Sequence, residues 1–156
     1  MKTPPRRKKP AAQPENIVSH YVLRMAEEAP SPYFTTGEVI KNLQFGLAIR
    51  ELDDLRNFLG LSMEKIIPML GISKATLHRR KAAGRLDPAE SDRVVRFARL
   101  MGRAVEVMES EANARAWLTA PQAGLGGAIP LEYAETEVGA REVEDLLGRI
   151  EYGVYS

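Results

Sequence analysis

The 156-residue chain has no cysteine, which excludes disulfides and thiolate metal sites and fits a reducing, cytoplasmic setting. It has only two histidines, His20 and His78. They lie in different segments with no serine or carboxylate framed around them, so no nucleophile–base constellation is visible. No apolar run approaches the roughly 18 residues that a membrane span needs. The N-terminus is basic but lacks the apolar stretch of a secretory signal. Gly124, Gly126 and Gly127 follow a helical pattern rather than a strand, so they do not form a phosphate-cradling loop. There is no internal repeat and no convincing strand run. These absences predict an all-α protein with no catalytic residues, no metal site, no cofactor and no membrane segment.

What is present is an ordinary globular composition, 44% hydrophobic and 28% charged, whose net charge of +1 conceals a strong pattern. Lys2, Arg6, Arg7, Lys8 and Lys9 form a basic tail. A second basic stretch runs from Lys74 to Arg103 and includes Arg79, Arg80, Lys81, Arg85, Arg93, Arg96 and Arg99. After Leu131 the balance turns acidic, with Glu132, Glu135, Glu137, Glu142, Glu144, Asp145 and Glu151 against Arg141 and Arg149. A basic middle and an acidic end suggest separate partners.

Residues 1–16, rich in Pro, Lys and Arg, bury too little to offset ordering entropy and are expected to be a disordered basic arm. From 17 to 108 the pattern predicts one helical domain. Ile17, Val18, Tyr21, Val22 and Met25 share a face, ended by Pro30 and Pro32. Thr35 with Glu38 makes a capping box for a short helix stopping near Gly46. Ile49, Leu52, Leu55 and Leu59 form the stripe of the next helix, stopped by Gly60. Asp87, Pro88 and Glu90 open a long helix to about Met108 whose apolar residues cover more than half its circumference. That width suggests burial by a second subunit. Residues 109–156 then form a smaller helical domain, with a helix at about 111–119, a Gly/Pro-rich connection and a last helix near 139–152.

The most informative stretch is 62–84. Ser62 caps a short helix carrying Ile66, Ile67 and Leu70; Gly71 breaks it; Ser73 caps a second helix from Lys74 that Gly84 closes. This is the pattern of a helix-turn-helix. Small Ala75 is expected to let the two helices approach closely, and Ile72 and Leu77 to face the core. Ser73, Lys74, Thr76, His78, Arg79, Arg80 and Lys81 are left for DNA, with Lys74 and Thr76 toward base edges and Arg79, Arg80 and Lys81 toward phosphates or a guanine edge. Pro68 costs the first helix a backbone donor.

The run Gly71-Ile72-Ser73-Lys74-Ala75-Thr76-Leu77-His78-Arg79-Arg80-Lys81, then Gly84-Arg85-Leu86 and Pro88 to Arg93, resembles the Xre-type antitoxins of the Xre/MbcA/ParS group. Trp117-Leu118, Pro121, Gly126-Gly127, Pro130-Leu131 and the segment Thr136 to Val154 are similar to that group's toxin-binding domain. Ile129 departs from the pattern, standing where a threonine cap is expected before Pro130. The resemblance implies a RES-domain toxin that consumes or transfers from NAD as the cognate partner. It also implies occlusion of that toxin's active site by the C-terminal end, and repression of the shared operon. The residues implied in toxin binding are Arg149, Glu151, Tyr152, Val154, Tyr155 and Ser156. An acidic terminal helix is an electrostatic match for a dinucleotide-binding cleft. The competing reading is a stand-alone dimeric helix-turn-helix regulator without a toxin. A homodimer is expected on either reading, because two half-sites one DNA turn apart raise specificity.

Overall fold

A computed structural model describes residues 17–23 and 34–153. The expected basic arm, Met25 with Pro30 and Pro32, and Val154, Tyr155 and Ser156 lie outside the described residues. Within them the chain forms α1 (Ile17–Leu23), α2 (Thr36–Phe45), α3 (Ile49–Leu59), α4 (Met63–Met69) and α5 (Lys74–Ala83). There follow α6 (Pro88–Met108), α7 (Glu111–Leu118), a 3-10 turn (Ala123–Leu125), α8 (Pro130–Tyr133) and α9 (Glu137–Glu151). Apart from two isolated bridges, Ala48 to Arg85 and Gln122 to Ala128, no extended pairing occurs among the described residues.

Short polar side chains set most helix starts. Thr35, Ser62, Ser73, Asp87, Ser110 and Thr136 each accept the backbone N–H of the third helical residue. The capping boxes at Thr35/Glu38 and Asp87/Glu90 are both closed. Ile129 supplies no side-chain cap to α8. Pro68 sits inside α4, which ends at Met69, and the chain turns at Gly71, whose φ of +68° favours a residue without a β-carbon.

The 21-residue α6 is the axis of the molecule. Val94, Val95, Phe97, Ala98, Leu100, Met101 and Ala104 are all buried by the chain's own helices. α1, α2, α3, α7 and α9 all pack against it. Burying each large apolar side chain contributes about 1.5–3 kcal/mol. The expectation that α6 is too apolar for one small chain is therefore corrected: five helices suffice, and its apolarity gives no argument for a dimer. One core runs from Ile17 to Leu147, so the segment after 108 shares its interior with what precedes it.

α1 is pinned by a long-range contact. The Glu51 carboxylate of α3, 6% exposed, accepts the Val18 N–H at 3.1 Å. Burial pushes this carboxyl above its ordinary range, and the bonds from the α1 backbone only partly offset that. His20, also buried, packs edge-on against Tyr21 and Phe34, a structural role.

Candidate functional site

α4 and α5 meet across Gly71-Ile72-Ser73 as a helix-turn-helix. Ile72 and Leu77 point into the core, as the spacing predicts. Ala75 does not: it is exposed. Two residues before Leu77 along a helix is about 200° of rotation, so burying Leu77 turns Ala75 outward.

The site residues named from sequence divide on α5. Lys74, His78, Arg79 and Lys81 are exposed. Lys74 has only a loose 3.9 Å contact with Glu64, both side chains 83% exposed, a pair worth little. Ser73 caps the helix and donates its hydroxyl to Thr76 Oγ1 at 2.9 Å. Thr76 is half-buried, and its hydroxyl also accepts from Arg79 Nη2, so it shapes the helix start. Arg80 turns inward. Its Nε donates to Glu90 Oε1 at 2.7 Å and its Nη2 lies 3.2 Å from Asp87 Oδ2. These acceptors hold the guanidinium more firmly in its charged form. This geometry ties α5 to the capping box of α6. Glu90, almost fully buried, needs such a counter-charge.

The rest of the basic stretch is likewise spent inside the chain. Arg93 lies over Gly71 and donates to the Leu70 carbonyl at 3.1 Å, strapping the turn. Arg85 donates to the Gly46 carbonyl at 2.8 Å and stacks on Phe45, 3.8 Å from the ring centre. At Gly46, φ is +96° and a β-carbon would stand 2.1 Å from the Leu86 carbonyl oxygen, so only glycine permits this approach. Leu86 N–H bonds the Leu47 carbonyl, Ile49 N–H the Gly84 carbonyl and Leu47 N–H the Ser91 hydroxyl. The exit of α5 is thereby stapled to the chain ahead of α3. Sequence reasoning missed Ser91 and Phe45 in this staple, because their partners lie about 40 residues away.

Arg96, Arg99 and Arg103 meet Glu137, Glu144 and Glu151 of α9, the first two pairs at 3.3 and 3.2 Å. The acidic residues recur every seven positions, along one side of the helix. Three arginines of the basic middle and three carboxylates of the acidic end thus neutralise one another within the chain. Glu151 bonds Arg103, which holds its carboxyl below the ordinary range and raises the guanidinium further. Of the residues implied in toxin binding, Glu151 is thus an internal anchor. Arg149 is half-buried and Tyr152, the C-cap of α9, is 79% exposed. Among the described residues no cluster of three or more His, Asp or Glu is suited to a metal, and no helix is long and apolar enough to cross a membrane.

A capped recognition helix, strapped to a long third helix and carrying outward cations, defines a helix-turn-helix protein, here with a helical C-terminal region packed on the same axis. Residues 45–99 match the antitoxin Xre-like helix-turn-helix domain, and residues 103–153 match the antitoxin Xre/MbcA/ParS C-terminal toxin-binding domain. A Yersinia enterocolitica protein named Antitoxin Xre is 35% identical over 120 residues, 76% of this chain and 81% of that protein. An Antitoxin Xre from Photorhabdus laumondii is 34% identical over 116 residues, covering 73% and 78%. The chain belongs to the Xre antitoxin family.

Proposed function

We propose that this chain neutralises a RES-domain toxin and, as a homodimer, represses the operon that encodes both. The observation that carries this reading is the joining of two surfaces by one helix. α6 straps the recognition helix at its first turn and holds α9 of the toxin-binding region along its second half.

On the DNA side, Lys74, His78, Arg79 and Lys81 supply base-edge and phosphate contacts, with Ser73 and Thr76 fixing the helix N-terminus they surround. Arg80 positions the helix. The dimer rests on half-site geometry alone. On the toxin side, Arg149 and Tyr152 make the contact together with Val154, Tyr155 and Ser156, which occlude the active site. Glu151 keeps the end of α9 in place.

The test is co-expression with the neighbouring gene, comparing the full chain with one ending at Gly153. The reading predicts a stable complex with both, and release of toxicity with the shortened chain. A full chain that shifts its own promoter DNA yet holds no neighbouring product would instead make it a stand-alone regulator.

A further inference from the structure

Three sides of α9 have distinct fates. One buries Ala140, Val143, Leu146 and Leu147 in the shared core. A second gives Glu137, Glu144 and Glu151 to the α6 arginines. The third carries Val138, Arg141, Asp145, Gly148 and Tyr152, which fall within about 80° of arc at 100° per residue. Val138 and Tyr152 are 74% and 79% exposed, large apolar groups at the two ends of the stripe. Asp145 is exposed between them.

Gly148 sits inside α9 with no structural reason to be glycine. It is absent from the positive-φ positions, and nothing lies within 4 Å of where its β-carbon would be. Glycine weakens a helix interior relative to alanine. The other glycine of this helix is different: at Gly139 a β-carbon would stand against the Tyr133 carbonyl, so the chain itself requires it. Beside Gly148 a shallow notch of about 420 Å³ opens between Glu144, Asp145, Arg149 and Tyr152.

We propose that Gly148 is the point of closest backbone approach between this chain and its toxin, which lays a segment across α9 and seats a side chain in the notch. This rests on the toxin-binding reading and deepens it. The toxin is the occupant because the stripe lies inside the matched toxin-binding region, 103–153, and lines up with Tyr152, the exposed aromatic leading to the terminal residues. Apolar groups at both ends of the stripe, with a carboxylate and a guanidinium between them, have the makeup of a protein–protein contact.

The test uses the full chain, the purified toxin encoded beside it, and the variants Gly148→Ala and Gly148→Gln. Both variants are expected to raise the thermal midpoint slightly and to shift promoter DNA as the parent does. Toxin affinity is expected to fall about tenfold for alanine and about a hundredfold for glutamine, the range of a truncated or blocked interface centre. Undiminished affinity of Gly148→Gln would overturn the proposal. So would a change in the variant's own oligomeric state with toxin binding intact, which would assign the stripe to a second copy. If the parent chain itself fails to bind the toxin, the toxin-binding reading falls and the inference with it, an outcome distinct from tight binding by both parent and variant.

Discussion

The cations of α5 and those of α6 look alike in sequence and behave in opposite ways in the fold. On α5, Lys74, His78, Arg79 and Lys81 face solvent; on α6, Arg93, Arg96, Arg99 and Arg103 are held by carbonyls or carboxylates of the same chain. Arg79 and Arg80 make the contrast between adjacent residues, the first outward and the second locked onto Glu90. A run of positive charge is therefore no measure of a DNA-binding surface until each charge has been followed to its partner.

The sharpest way to break this comparison is to remove each set. Replacing Lys74, Arg79 and Lys81 together by alanine is expected to lower the slope of log affinity against log salt by about 3, at roughly 0.9 per phosphate contact, with a large loss of promoter binding. Replacing Arg96, Arg99 and Arg103 by glutamine should leave that slope unchanged, lower the thermal midpoint by a few degrees and loosen α9. Binding and melting curves on the same preparations check both. A smaller effect sharpens the comparison at neighbouring positions. Arg79→Gln should lower the slope by about 1 with melting unchanged, whereas Arg80→Gln should destabilise the fold while keeping the slope.

The smallest expected effects come from pH. Glu51 has its carboxyl raised by burial, so the folded form takes up a proton more readily than the unfolded chain. Its contribution is fully present below the ordinary value of 4.5 and is lost as pH rises through the raised one. Glu151, lowered by Arg103, contributes above 4.5 and loses its effect as pH falls through its lowered value. Denaturation midpoints across the acid range should therefore lose a falling component in Glu51→Gln and a rising one in Glu151→Gln.

Much of the fold was legible because its signals are local. Caps at Thr35, Ser62, Ser73 and Asp87, stops at Gly60 and Gly84 and the stripe of α3 all act within a turn or two. The helix-turn-helix and the family could be read from those same residues. What the sequence hid was long-range pairing. Nothing local says that Arg99 will meet Glu144, 45 positions away, or that Arg93 will close over Gly71. Ala75 was misplaced for a related reason: small size suggested a helix contact, but the phase of α5 is set by Leu77.

The most direct test of the division between the solvent-facing cations of α5 and the internally paired cations of α6 is the salt dependence of promoter binding by Lys81→Ala and Arg99→Ala, measured side by side. The account predicts a slope reduced by about 1 for Lys81→Ala and the parent's slope for Arg99→Ala. Equal reductions in both would contradict it, because they would place α6 on the DNA as well.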